Sequence, residues 1–217
     1  YVSECHNMGI EVLPPDINHS GYDFSIEDHA GGKACIRFGL GGIKNVGQGP
    51  VDTIIKARGH QAFSDLNDFI RRVDLRQVGK RPLECLIKVG ALDSFGPRKA
   101  LLLSIDQMVN VSVSNIKAIE MGQLDLFGGG TVALPHVVLT DNVRVDTDEQ
   151  IGWEKELLGL YVSDHPLSQY LSQIADKISH TSNQLAEVET NSKVTIGGLV
   201  KRVQPSLTKK NQNMGFV

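Results

Sequence analysis

Cysteine is scarce in this 217-residue chain and odd in number: Cys5, Cys35 and Cys85 stand far apart. No disulfide framework follows from such a set, and a reducing compartment is the simpler expectation. Aromatic residues make up only 6% of the sequence, so a core must rest on Leu, Ile and Val. No signal peptide opens the sequence, and no apolar run approaches the roughly 18 residues of a membrane span. Cys5-His6, His19, His29 and Cys35 lack the close paired spacing of structural zinc, and no metal site is expected. The chain starts at Tyr1 rather than Met and ends on Val217 inside a strand-like run, which reads as a piece of a longer protein.

With 41% hydrophobic residues the chain can bury a core, and its length suggests one to two domains. The formal net charge of -3 conceals a block structure. Residues 1–32 carry -6, residues 33–100 carry +7, residues 101–200 carry -8 and residues 201–217 carry +4. Sign asymmetry of this kind is more informative than the total, and a basic block can supply the phosphate-neutralising part of DNA binding.

Within the basic block, Gly42 to Arg58 reads as two short helices joined by a tight glycine hairpin. Pro50 suits the start of the second helix, where its missing N–H costs nothing. Gly47 and Gly49 are expected to take positive φ and to let a ligand approach the backbone. A helix N-terminus with free N–H groups attracts anions, and Lys44, Lys56 and Arg58 stand nearby. Val78 to Leu102 repeats the theme. Ile87-Lys88 echoes Ile43-Lys44 at a spacing of 44, and Gly96-Pro97 echoes Gly49-Pro50 at 47. A lone hairpin would be an ordinary corner of a helical core. Two copies in one basic block favour phosphate-backbone binding, and stacked copies would bury each other's apolar faces.

Elsewhere, Tyr1–Met8 reads as a helix tail capped by Gly9. Strands are expected at Ile10–Leu13, Asp23–Ile26 and Ala34–Phe38, the last two forming a hairpin about Gly31-Gly32. Ser64 is the expected N-cap of a helix Asp65–Arg72. A long amphipathic helix should run from Pro97 to Met121, with Leu101, Ile105, Met108 and Val109 on one face. Gln123-Leu124-Asp125-Leu126-Phe127 lies between glycines, too short to fold alone. On composition it is either a docking peptide or a loop tucked onto the helical domain. Residues 131–150 read as an acidic linker and Trp153–Tyr161 as a short helix. A glycine-kinked strand Lys193–Val203, a basic turn at Thr208–Asn213 and a return strand Met214–Val217 look like the start of an OB-type barrel. The fold class expected is therefore α+β: a mostly helical tandem helix-hairpin-helix domain, a small β-hairpin before it and an incomplete OB-type segment after it.

Several long motifs, in order, give the chain a family resemblance. They are Glu4-Cys5 with Met8-Gly9-Ile10, Val12 to Asn18, Arg37 to Leu40, Ile43 to Gly47, Leu86 to Gly96, Glu156 to Gly159, His165-Pro166-Leu167 and Thr208-Lys209-Lys210. The chain resembles the C-terminal half of bacterial replicative DNA polymerase III alpha subunits. The resemblance implies the end of the fingers with a β-hairpin at 1–38, a tandem helix-hairpin-helix domain at 39–121, a sliding-clamp-binding segment at 122–130, an acidic linker with short helices at 131–192 and the start of an OB domain at 193–217. It implies that Gln123, Leu124, Asp125, Leu126 and Phe127 bind the clamp, with Leu126 and Phe127 as its hydrophobic anchors. The duplex-facing residues would be Lys44, Val46, Gly47, Gln48, Gly49, Lys56, Arg58, Lys80, Arg81, Lys88, Gly90, Arg98 and Lys99. Weak single-strand contacts would fall on Lys201, Arg202, Lys209 and Lys210. The sequence departs from the pattern at Gly41-Gly42, where relatives are alanine-rich, and this should loosen the first helix. Asn211-Gln212-Asn213 replace a more basic turn, which weakens the single-strand expectation.

The parent is expected to be a DNA-directed DNA polymerase, a Mg2+-dependent nucleotidyltransferase of the bacterial cytoplasm. Its palm aspartates would lie upstream, so this fragment is expected to need no cofactor and to have no catalytic activity. Two other readings compete: the helix-hairpin-helix module of a repair nuclease or glycosylase, and an interaction scaffold that does not touch DNA.

Overall fold

Why three short strands open the chain is visible in Arg37, which ties them together. The computed structural model describes residues 4–5, 8–28, 34–120, 135–140, 147–161, 175–180, 184–185, 188–189, 192–198, 200, 203–207 and 213–216. It divides into two units, Tyr1–Ser163 and Asp164–Val217. In the first unit, β1 (Val12–Leu13), β2 (Ser25–Asp28) and β3 (Ala34–Arg37) form a sheet in the order β1-β3-β2. β3 runs parallel to β1 and antiparallel to β2, with Ile26 opposite Ile36. Arg37 donates through Nη2 to Glu27 Oε2 at 2.8 Å and through Nη1 to the Pro14 carbonyl at 2.9 Å. That hydrogen bond, more than offsetting burial, holds the Glu27 carboxyl below its ordinary value.

The hairpin expected from sequence is present, but β2 starts later than expected. Residues 21–23 turn instead toward the next segment. Leu40 N–H donates to the Gly21 carbonyl and Gly41 N–H to the Tyr22 carbonyl, each at 2.9 Å. A Cβ on Gly41 would come within 2.7 Å of the Tyr22 ring. At the N-terminal edge, Met8 N–H donates to the Glu4 carbonyl at 2.9 Å and Gly9 takes φ 70, as a helix tail with a glycine cap requires. The Gly31-Gly32 turn lies outside the described residues.

Seven α-helices follow among the described residues: α1 (Gln48–Arg58), α2 (Leu66–Arg72), α3 (Leu75–Val78), α4 (Lys80–Lys88), α5 (Arg98–Leu103), α6 (Ile105–Glu120) and α7 (Thr147–Leu157). Only a 3-10 turn, Leu40–Gly42, precedes α1 where a first helix was expected. The glycine pair permits the tight approach of Tyr22 and Phe38 that a side chain would block. The cap of α2 is Asp65 rather than Ser64. Its carboxylate accepts from Asp68 N–H at 2.8 Å, while Ser64 N–H donates back to Asp68 Oδ2 at 3.2 Å. The long helix expected over 97–121 is broken at Ser104, whose hydroxyl donates to the Ala100 carbonyl at 2.9 Å. Such a bond to the preceding turn bends or interrupts a helix.

One hydrophobic cluster joins both copies of the repeat. Val51 and Ile54 from α1 pack with Phe69 and Ile70 from α2, Leu83, Leu86 and Ile87 from α4, and Leu101 and Met108 from α5 and α6; all are fully buried. At about 1.5–3 kcal/mol for each fully buried side chain, these residues dominate the unit's stability. Residues 135–140 and α7 belong to it too. The Asn67 side-chain amide donates to the Val137 carbonyl at 3.2 Å and accepts its N–H at 2.8 Å, as a neighbouring strand would.

In the second unit, β4 (Gln204–Leu207) and β5 (Asn213–Phe216) pair antiparallel, with Leu207 opposite Asn213. The expected strand over 193–203 is not seen among its described residues. Thr195 pairs instead with Ser179, whose N–H donates to the Thr195 carbonyl at 2.9 Å and whose hydroxyl accepts Thr195 N–H at 2.8 Å. No helix among the described residues is long and apolar enough to cross a membrane.

Candidate nucleic-acid interface

At the first hairpin the chain leaves the 3-10 turn and reverses through Asn45 into α1, capped by extended Gly47 at φ -85 and ψ 176. The positive φ expected at Gly47 and Gly49 is found at Asn45, with φ 66. Asparagine tolerates this region because its short amide can hydrogen-bond locally; here it donates to Cys85 Sγ at 3.8 Å. Gly47, Gln48 and Gly49 are exposed, and a Cβ on either glycine would meet nothing within 4 Å. α1 starts at Gln48, which puts Pro50 in the first turn, where no intrahelical N–H is needed. Val46 is buried and anchors the turn. Lys44 and Lys56 are exposed and make no ion pair with described residues. Together these place an open helix N-terminus beside the exposed Lys44, while Lys56 is exposed in the last turn of the same helix.

Arg58 has a different environment. It donates to the Ile17 and Ser20 carbonyls, each at 2.9 Å, and so ties α1 to the sheet segment. Burial holds its guanidinium below the ordinary value, with the charge of Asp16 working against the shift. Arg72, which sequence reasoning passed over, closes the C-terminal end of α1 by donating to the Ala57, Arg58 and Gln61 carbonyls at 2.8 Å each.

The second hairpin joins α4 to α5 through Gly90, at φ 83, and Gly96, at φ 150. Here a Cβ on Gly90 would strike the Arg98 guanidinium, and one on Gly96 would reach within 2.5 Å of Leu139. Arg98 is the first residue of α5, and only 9% of its side chain is exposed. It donates through Nε and Nη2 to Asp93 at 2.9 and 2.8 Å, and through Nη1 to the Lys88 carbonyl at 3.0 Å and Glu154 Oε1 at 3.2 Å. Burial lowers its pKa, but the hydrogen bonds and charges of Asp93 and Glu154 outweigh it and hold the group above its ordinary value. Lys88 pairs with Glu84 at 2.6 Å and lies 5.4 Å from the Trp153 ring centre. Lys80 pairs with Asp106 at 2.5 Å; Arg81 and Lys99 are exposed and unpaired among the described residues.

Asn45, Lys80, Arg81, Glu84, Cys85, Lys88, Glu156 and Leu157 line a cleft of about 400 Å³. Burial pushes the Cys85 thiol up, which leaves it a neutral wall of that cleft. Of the sequence-derived contacts, the structure thus brings Lys44, Gly47, Gln48 and Gly49 to one exposed turn and leaves Lys56 exposed at the other end of α1. It turns Arg58 and Arg98 into the fold, with Gly90 packed beneath Arg98. Gln123 to Phe127, Lys201, Arg202, Lys209 and Lys210 lie outside the described residues. Asn45 and Glu154 were missed. No group of three or more His, Cys, Asp or Glu that could hold a metal occurs among the described residues, so they do not fit the divalent ion expected of the parent, and no metal step is assigned to them.

The family described as Helix-hairpin-helix motif matches residues 9–102, spanning the sheet and both hairpins. DNA polymerase III subunit alpha of Vibrio cholerae is 38% identical over 220 residues, covering 100% of this chain and 19% of the relative. The namesake from Haemophilus influenzae is 37% identical, covering 98% and 18% respectively, and that from Pseudomonas aeruginosa 32%, covering 100% and 20%. The chain therefore spans no more than about a fifth of these relatives. The sequence resemblance and the folded helix-hairpin-helix pair agree: the chain belongs, over its whole length, with a segment of the bacterial DNA polymerase III alpha subunits.

Proposed function

We propose that this chain is the duplex-gripping and clamp-tethering part of a replicative DNA polymerase. The observation that carries the reading is the first hairpin, where Gly47 and Gly49 meet open space at the start of α1 next to the exposed Lys44, with Lys56 exposed in the last turn of that helix. A helix N-terminus of this kind holds phosphate without reading bases, as suits an enzyme that must copy any template. Arg81 and Lys99 add free positive charge on the flank of the second hairpin. Gln123 to Phe127 would then dock in the pocket of a sliding clamp, and the basic turn of the second unit would touch single-stranded template weakly. The Mg2+ and carboxylates of phosphoryl transfer would belong to other parts of the parent polymerase.

Two measurements test this. Binding to mixed-sequence duplex should weaken steeply with salt, because phosphate contacts release counterions. Capture by a bacterial sliding clamp should be lost in Leu126→Ala/Phe127→Ala. Salt-insensitive duplex binding, or clamp capture that survives the double change, would contradict the reading. A damage-specific preference would favour the repair-module alternative.

A further inference from the structure

We propose, resting on the duplex-gripping reading, that Glu154 is the second hairpin's own anion, so that the first hairpin alone presents its turn to DNA. The two turns come from a repeated sequence, yet Gly47 and Gly49 of the first meet open space. Gly90 and Gly96 of the second are packed against Arg98 and Leu139, with Asp93 and Ser94 exposed between them. Arg98, at the start of α5, has five N–H donors. One on Nε, two on Nη1 and one on Nη2 are engaged by Asp93, the Lys88 carbonyl and Glu154, which leaves at most one for a phosphate. Glu154 is 1% exposed and brings a negative charge from α7, 56 residues further along the chain. Trp153, its neighbour on α7, lies under the Lys88 ammonium, and Leu139 packs on Gly96. A phosphate entering this turn would have to compete with the Asp93 and Glu154 carboxylates for the Arg98 guanidinium.

The other end of α7 is fastened as well: Lys44 N–H donates to the Leu157 carbonyl at 2.9 Å. That contact uses only the backbone of Lys44 and leaves its ammonium exposed. α7 thus pairs with Arg98 of one hairpin and holds the Lys44 backbone of the other. The second hairpin's turn serves as a receptor for the chain's own helix, and only the first hairpin's turn holds phosphate, with Arg81 and Lys99 acting on the flank.

The test uses the chain carrying Arg98→Gln and Glu154→Gln together, which keeps hydrogen-bonding groups at both positions and removes the charges. Salt-dependent binding to a mixed-sequence duplex should be unchanged in slope and in affinity within twofold. Lys44→Ala/Lys56→Ala should lower the slope by about two units, since each phosphate contact contributes roughly 0.9. Amide hydrogen exchange over residues 147–157 should stay as slow with duplex bound as without it. A slope lower by about one unit in the double glutamine variant, or faster exchange in α7 on DNA binding, overturns the inference and leaves the duplex-gripping reading standing. Failure of the unaltered chain to bind duplex overturns both.

Discussion

The two hairpins share a sequence theme and differ in what surrounds them. At the first, Gly47 and Gly49 have empty space where a side chain would go. At the second, Gly90 and Gly96 are pressed by Arg98 and Leu139. The lysines differ in the same way: Lys44 is unpaired among the described residues, whereas Lys88 is held by Glu84 and Trp153. A glycine-rich turn in a basic block is therefore not by itself a binding site. Its neighbours decide whether it meets a ligand or the rest of the protein.

The sharpest way to break this comparison is to exchange stability for binding at matched positions. Arg98→Ala would break its buried ion pair with Glu154, and breaking a buried pair costs about 3–5 kcal/mol. Urea unfolding should show that drop, while Lys44→Ala should stay within about 0.5 kcal/mol of the unaltered chain, as exposed substitutions usually do. Equal destabilisation by the two changes would erase the distinction.

A smaller effect is expected from the glycines. Gly90→Ala must adopt φ 83 and push against Arg98, a strain of about 1–3 kcal/mol. Gly47→Ala, at φ -85 with open space, should leave the thermal midpoint almost unchanged and weaken duplex binding by blocking close approach. Parallel melting curves and binding isotherms would separate the two outcomes.

The smallest effect concerns acid. Burial raises the Asp68 pKa, but hydrogen bonds from Arg71, Arg72 and Ser64 N–H outweigh it and hold the carboxyl below its ordinary value. A group lowered on folding contributes fully above the ordinary carboxylate range, and that contribution is lost as pH falls through its folded value. Asp68→Asn should therefore flatten the acid side of the stability profile while leaving duplex binding at neutral pH intact. An acid limb as steep as before would place the titration elsewhere.

Much of this was legible in the sequence. The glycine–proline turns and their repeat spacing revealed α1, α4 and α5, although the first helix expected before α1 is only a 3-10 turn. The early β-hairpin was legible from Ala34 to Phe38, and the charge blocks pointed to the basic surface. What escaped reading depended on distant partners. Arg58 finds its carbonyls 38 and 41 residues back in the chain, and Arg98 finds Glu154 56 residues ahead. No local pattern encodes those pairings. The positive φ at Asn45 was hidden because glycine is the residue expected there, and Gly47 and Gly49 drew the expectation instead. Ser104 broke a strongly periodic helix through a single hydroxyl, and hydropathy does not register such a bond. Asn67 joined residues 135–140 to the helical unit by imitating a strand edge, a role that composition cannot reveal.

The central claim is that the open first hairpin holds the DNA backbone. It is tested most directly by comparing the salt dependence of mixed-sequence duplex binding in the unaltered chain and in Lys44→Ala/Lys56→Ala. The double variant should show a log–log slope shallower by about two units, with the fold intact. An unchanged slope in a folded double variant would contradict the claim.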